Sequence, residues 1–468
     1  MSAVQRVPPF ESRVAVGVGS GLLGFSFTVL GLLFLVSARL DGFLVVAILV
    51  PILLAASWPT FVRQAKRERD PRLVQLLMAA LVLKLCGALV RYWVAVTVYE
   101  GNADAFEYHK VGVELAMRFR AGNFDTGLSS LSGTDFISFF TGITYTITGP
   151  SIFAGFLLYS WLAFGGMFYL YRAFTIANPD GNKRSYARLL FFMPSMLYWP
   201  SSIGKEAWML LTLGLAAFGT ARLLTGRPWR GLAVAGFAMW LAAIVRAHVA
   251  GMVVIGLVVA YLFARPPRRL GALGPVVKLF ALAALVVVAV ALLGRTQQYL
   301  LEKGIDPQDG VTSVLAETQR RTNQGGSNFE APSTGVSLAK LPFAAVTILF
   351  RPFPFEVHNA QAAITALESS LLLCLALARR RAIWQAVRHL RRYPYVAFIL
   401  VYSVLFVVAF SSIANFGILA RERVQLLPFF LVLLAVPVAR RAPAATPPPA
   451  PPADRRREGD ASRQLARA

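Results

Sequence analysis

The chain has 468 residues, 56% of them hydrophobic, and a formal net charge of +24. Its mean hydropathy of +0.59 excludes a soluble globular domain and makes a bilayer the expected solvent. The positive balance does not mark a nucleic-acid partner, because Arg and Lys gather at the ends of apolar runs, where the positive-inside rule and anionic lipid headgroups favour them.

A membrane span takes roughly 20 apolar residues, fewer inside a bundle. The runs predict an all-α polytopic membrane protein of twelve spans: 14–37, 42–58, 75–99, 152–172, 186–201, 205–223, 230–245, 249–264, 273–294, 360–379, 394–413 and 424–439. Residues 14–37 read as a full span rather than a cleavable leader, since no small-residue cleavage site clearly follows. The linker 59–74 carries Arg63, Lys66, Arg67, Arg69 and Arg72 and sets the cytoplasmic side. Every second turn after it is also basic, which places both termini in the cytoplasm. Two shorter runs, 133–148 and 338–350, would invert that pattern if counted as spans. They are expected to be interfacial or re-entrant helices on the extracytoplasmic side. Of the loops there, 322–329 (TNQGGSNF) reads equally as a flexible lid or a plain loop. The transmembrane domain is set at 1–439. Residues 440–468, rich in Pro, Ala and Arg, have too little apolar content for a core and are expected to be a disordered cytoplasmic tail.

The two cysteines, Cys86 and Cys374, lie inside apolar runs and imply neither a disulfide framework nor a CxxC metal site. No Walker loop, HExxH, GxGxxG fold or GxSxG elbow is present. The ionisable residues of interest fall on the extracytoplasmic side, in five segments. In NADAFEYHKVGVELA (102–116), Asp104 and Tyr108 share a helix face, and Glu107 and His109 lie beside them. An acid at the surface with an aromatic one turn on suits a general base near a sugar hydroxyl, against the plainer reading of a solvated helix start. In PSMLYWPSSIGKEAW (194–208), Pro194 and Pro200 break the helix, and Lys205 and Glu206 open the next span, where cation and helix N-terminus favour an anion. IVRAHVAG (244–251) brings Arg246 and His248 to a turn, equally as substrate contacts or as headgroup anchors. FRPFPFEVHNAQ (350–361) holds Arg351, Glu356 and His358 among Pro and Phe. NFGILARERVQLLP (415–428) holds Arg421 and Arg423, and guanidinium groups suit phosphate or diphosphate. For these last two segments the plainer reading is interface anchoring. Within the membrane, Lys84, Arg91 and Glu368 are costly unless they face the bundle, and Lys84 and Glu368 are candidates to pair.

Taken together, DAFEYH, PSMLYWPSSIGKE, RPFPFE and NFGILARERVQLLP resemble motifs of bacterial GT-C-type membrane glycosyltransferases and of polysaccharide polymerases of the Wzy/EpsG kind. The resemblance implies a polyprenyl-(di)phosphate-linked sugar donor, a glycan or lipid-linked acceptor, and chemistry at the extracytoplasmic face of a bacterial plasma membrane. It implies Asp104, with Glu107 beside it, as the catalytic carboxylate, Asp104 being the base that activates an acceptor hydroxyl. Tyr108, His109, Lys205, Glu206, Arg246, His248, Arg351, Glu356, His358, Arg421 and Arg423 become candidates for substrate binding. Of these, Lys205, Arg351, Arg421 and Arg423 would hold the carrier's phosphate. Transferase and polymerase both remain open, with a lipid-linked oligosaccharide flippase or another transporter as the alternative from another class, and a non-catalytic subunit of an envelope-synthesis complex as a third reading. The exposed acids can hold Mg2+ or Mn2+, although no ligand spacing demands either.

Overall fold

The computed structural model describes residues 43–264, 273–302, 311–323, 329, 338–357, 359–390 and 393–436. The expectations for 14–37, for most of 322–329, for His358 and for 440–468 lie outside them. Within the described residues the chain is all helical: α1 (Phe43–Glu68), α2 (Arg72–Thr97), α3 (Asp104–Arg120), α4 (Gly133–Thr148), α5 (Ile152–Ala177), α6 (Lys183–Phe192), α7 (Pro194–Tyr198), α8 (Lys205–Leu224), α9 (Pro228–Phe263), α10 (Gly274–Glu302), α11 (Val311–Thr322), α12 (Leu341–Phe350), α13 (Ala360–Ala378), α14 (Arg380–Arg388), α15 (Pro394–Phe410), α16 (Phe416–Arg423) and α17 (Leu427–Ala435).

Seven of these, namely α1 from Ala47, α2, α5, α8, α9, α10 to Gln298 and α13, are long and apolar enough to cross a bilayer. The chain is therefore a membrane-embedded helical protein. The helices α12 and α15 are apolar but shorter.

Three elements differ from the sequence expectation. The basic linker 59–74 is mostly helix, because α1 continues through its charged residues to Glu68. The run 186–201 is not one helix. Met193 is extended (φ −66°, ψ 125°) and Pro194, which has no N–H to donate to the turn before it, starts the separate five-residue α7. The runs 230–245 and 249–264 join in the 36-residue α9, whose hydrogen-bonded turns are interrupted at Arg246 (φ −143°, ψ 83°).

The packing is tightest where small residues let backbones touch, the habit of helices in lipid. A Cβ on Gly214 of α8 would lie 2.1 Å from the carbonyl oxygen of Gly166 in α5. A Cβ on Gly87 of α2 would lie 2.3 Å from the carbonyl oxygen of Leu197 in α7. The other half of α8 meets α9 at Gly219 and Ala235, and at Leu223 and Gly231. By contrast, α10 leaves Leu279, Phe280, Val287 and Val290 exposed, as a lipid-facing helix does.

Among the described residues the basic turns collect at one end of the bundle, where Arg67, Arg172, Arg222, Arg227 and Arg230 lie close enough to repel one another. Arg184 at the start of α6 pairs with Asp70 between α1 and α2 at 3.1 Å. The hydroxyl of Tyr171 near the end of α5 donates to Glu68 at 2.8 Å. The opposite end is where α2 finishes and α5 and α8 begin.

Candidate functional site

At that opposite end lies a cavity of about 270 Å³. Its wall takes Arg91, Tyr99 and Asn102 from the end of α2 and the turn after it, and Asp104 and Tyr108 from α3. Phe156 of α5, Trp199, Ser202 and Glu206 around the α7–α8 turn, and Asn415 and Arg421 of the α16 segment complete it. Three of the five sequence segments thus meet in one place.

Local structure explains how each charge is aimed. Asp104 is the first residue of α3, where the partial positive charge of the helix N-terminus favours a carboxylate. Glu206 sits in the first turn of α8 for the same reason. Asn415 caps α16, its side-chain oxygen accepting from the N–H groups of Gly417 at 2.9 Å and Ile418 at 3.1 Å. The capped helix then presents Arg421, Glu422 and Arg423 on three successive faces, about 100° apart.

Those three residues enter three environments. Arg421 points into the cavity, where Nη1 donates to Asp104 at 2.9 Å and Nε lies 3.3 Å from Glu206. The Asp104 side chain is 66% exposed, that of Glu206 only 10%. Glu422 turns away from the cavity to Arg246, which grips it through both terminal guanidinium nitrogens, Nη1 to Oε2 and Nη2 to Oε1, the latter at 2.7 Å. The Nη2 of Arg246 also lies 3.4 Å from Glu206. The side-chain amide of Gln425 donates to Glu422 at 2.6 Å. Asp104, Arg421, Glu206, Arg246 and Glu422 therefore form one chain of alternating charge reaching from the cavity mouth into the protein. Arg423 faces the core.

The electrostatics follow from this geometry. Burial alone would raise the Glu422 carboxyl. Arg246, Arg421 and the Gln425 hydrogen bond outweigh it and hold the group below the ordinary carboxylate value. Glu206, followed by Glu422 and Asp104, pushes Arg421 above its ordinary value against the effect of burial. Burial, reinforced by Glu206 and Asp104, raises the Tyr108 hydroxyl, which stays protonated and available as a donor.

The remaining candidates lie elsewhere. Lys205 does not line the cavity but is close enough to interact with Arg246, Glu206, Asp104 and Arg421. Glu107 is exposed on α3, off the cavity. The Nδ1 of His109 is 2.9 Å from the Tyr145 hydroxyl in α4, and burial lowers its pKa. His248 rests against the Phe410 ring with centroids 6.1 Å apart. Arg351 pairs with Glu356, Nε donating at 2.9 Å, and its guanidinium lies over the rings of Phe329 and Phe416 at 4.6 and 5.1 Å. Arg423 is fully buried and donates to the carbonyls of Leu349 at 3.1 Å and Arg351 at 3.2 Å and to Ser369 at 2.9 Å, with Glu368 at 3.8 Å. Arg351 and Arg423 are thus committed away from the cavity. Lys84 and Glu368 do face the bundle, but no ion pair joins them. The Nζ of Lys84 donates to the Met196 carbonyl at 2.7 Å, and Glu368 accepts from the Ser195 N–H at 2.6 Å, so both grip α7.

Arg91, Tyr99, Asn102, Trp199, Ser202 and Asn415 line the cavity without having been chosen as site residues. All but Tyr99 stood inside or beside quoted motifs or, for Arg91, among the intramembrane charges. What was lacking was a reason to prefer them. Among the described residues no three His, Cys, Asp or Glu side chains gather as a metal site. Comparison with protein families, curated proteins and solved structures returns no match.

Proposed function

We propose that this protein is a membrane glycosyltransferase or polysaccharide polymerase. It moves a sugar from a polyprenyl-(di)phosphate carrier to a glycan or lipid-linked acceptor at the extracytoplasmic face. The observation that carries the reading is the convergence of Asp104, Glu206 and Arg421 on one cavity at the end of the bundle opposite the basic turns. If those turns are cytoplasmic, as the positive-inside rule has it, the cavity is extracytoplasmic and the chain suits a bacterial plasma membrane. In this topology α9 crosses twice, dividing at Arg246. The pair α6–α7 crosses as a broken helix, and α4 and α12 lie at the interface.

The chemistry is then direct. Asp104, exposed at the mouth and oriented by Arg421, takes the proton of the acceptor hydroxyl. The acceptor oxygen bonds to the anomeric carbon as the bond from that carbon to the carrier's phosphate oxygen breaks. The phosphate leaves with the electron pair. The aromatic wall of Tyr99, Tyr108, Phe156 and Trp199 suits a sugar ring and the start of a lipid chain. Where a divalent cation assists, Asp104 and Glu206 are the carboxylates on the cavity wall.

A flippase is the second reading, favoured by the buried charges Lys84, Glu368 and Arg423. Their commitment to backbone groups of α7 and its neighbours fits a structural brace better than a transport path.

The test is complementation of a deletion strain with wild type or Asp104→Asn at matched expression, reading lipid-linked intermediates and surface glycan by mass spectrometry. Asp104→Asn is expected to accumulate unprocessed lipid-linked sugar outside the membrane and to lose the glycan. Intermediates trapped on the cytoplasmic face would replace the transferase with a flippase. Unchanged glycans in the deletion strain itself would overturn both.

A further inference from the structure

We infer that Arg91 is the residue that binds the phosphate head of a lipid in this cavity, in place of the arginines and lysine that sequence alone singles out. The identity of the lipid rests on the transferase reading above; the site itself does not.

The argument begins with what each cation already holds. Arg421 is taken by Asp104 and Glu206, and Arg246 by Glu422 and Glu206. Arg351 is held by Glu356, and Arg423 by three oxygens of the core beside Glu368. Lys205 is outside the cavity wall. Arg91 does line the wall, and among the described residues no carboxylate stands within ion-pairing distance of it. Among the described residues its one hydrogen bond runs from Nη1 to the Tyr198 hydroxyl at 2.9 Å. Its Nε makes no hydrogen bond among the described residues, as is also true of the Nε of Arg421 and of Arg423, so what sets Arg91 apart is the missing carboxylate. A guanidinium carries five donors, so an anion would satisfy groups that the protein leaves open.

The surroundings prepare it for that role. The rings of Tyr198 and Trp199 lie 4.9 and 5.0 Å from the guanidinium carbon. They stabilise the cation and fix its orientation without cancelling its charge. Both rings belong to the segment joined to α7, which Lys84 and Glu368 grip from below. Phe156 and Ala95 share the wall. Arg91 also sits six residues before the end of α2, about 9 Å along the helix. On the same helix Val90 and Trp93 are exposed, giving an apolar flank on which a lipid tail packs. A headgroup drawn in from the side of the bundle reaches Arg91 while its tail stays in the bilayer. Arg91 is then a binding residue beside the Asp104–Arg421 pair, and two guanidiniums divide the work. One orients the acid, and the other holds the leaving phosphate.

The experiment uses the full-length protein in phosphatidylcholine vesicles doped with a long-chain polyprenyl phosphate or with the uncharged polyprenol, reading retained lipid by native mass spectrometry. Wild type is expected to retain the phosphate over the alcohol by about tenfold or more, the scale of one charge-assisted contact. Arg91→Gln loses that preference, and Arg91→Lys recovers part of it. Equal retention of alcohol and phosphate by wild type would overturn the inference whether or not any variant folds. So would an Arg91→Gln protein that still prefers the phosphate. In undoped vesicles, protection against thermal unfolding by inorganic pyrophosphate as strong as that by the lipid would overturn the lipid as the ligand. The two proposals fail separately. Arg91-dependent retention without sugar transfer by wild type removes the transferase and leaves the phosphate site. Sugar transfer with the donor KM unchanged in Arg91→Gln does the reverse.

Discussion

Two clusters of charge meet at α16, and they are built on opposite plans. In the cavity, Asp104, Glu206, Arg421, Arg246 and Glu422 pair side chain to side chain, and the outermost member is largely exposed. In the core, Lys84, Glu368 and Arg423 are sealed, and most of their hydrogen bonds go to backbone groups. A carboxylate paired by a neighbouring guanidinium can exchange that partner for a ligand. A lysine or arginine sealed in the core and held by backbone carbonyls has no access to a ligand and serves as a strut. The same residue types therefore line an open cavity at one end and hold shape a few turns away.

Substitutions break this comparison at its strongest point first. Arg423→Ala leaves Glu368 buried without its cation and the Leu349 and Arg351 carbonyls without a donor. It is expected to destabilise the fold by about 3–5 kcal/mol, read as a large fall in melting temperature in detergent. Arg423→Met combined with Glu368→Gln should recover much of that loss. A single variant that melts like wild type would show that the core cluster is not a strut.

Asp104→Asn should behave in the opposite way. Its ion pair is exposed and worth at most about 1 kcal/mol, so melting barely moves. Transfer activity falls by about 10²–10⁴-fold if the carboxylate is the base. A variant with full activity would make Asp104 a surface ion pair and nothing more.

A third test is acid titration. The folded Glu422 carboxyl is held below its unfolded value, near 4.3, so its contribution to stability is complete above that value. The contribution is lost as pH falls through the lower, folded pKa. Glu422→Gln should flatten this acid limb of the stability curve. An unchanged limb would place the pH dependence elsewhere. The smallest effect belongs to Glu107→Gln, an exposed residue off the cavity. Stability should stay within about 0.5 kcal/mol and activity near wild type. A marked loss of turnover would restore Glu107 as a catalytic acid.

Much of the frame was legible because apolar runs announce helices: 152–172 is the heart of α5, 205–223 matches α8 and 360–379 matches α13. The segments carrying Asp104, Glu206 and Arg421 were also legible, since charged residues beside such runs are few. What could not be read was which charges meet. Arg421, Arg423 and Arg351 look alike in sequence, yet one faces the cavity, one the core and one the Phe329–Phe416 ring pair. Asp104 and Arg421 are 317 positions apart, and no local periodicity links them. Arg91 was visible as a costly charge, but its value depends on two rings and on what the other arginines already hold. The turn at Met193 was signalled by Pro194. The role of α7 as the seat of Lys84 and Glu368 was not.

The cap at Asn415 has a consequence for how this chain tolerates change. It fixes where the helix begins counting, and six residues later the three charges are dealt to cavity, Arg246 and core. Adding or removing one residue between Asn415 and Arg421 would turn the triplet by about 100°, setting a carboxylate where a guanidinium belongs in at least one of the three places. Residue identity and spacing are thus locked together over this short stretch. Length changes, which surface turns of the same protein should absorb, are expected to be lethal to the fold here.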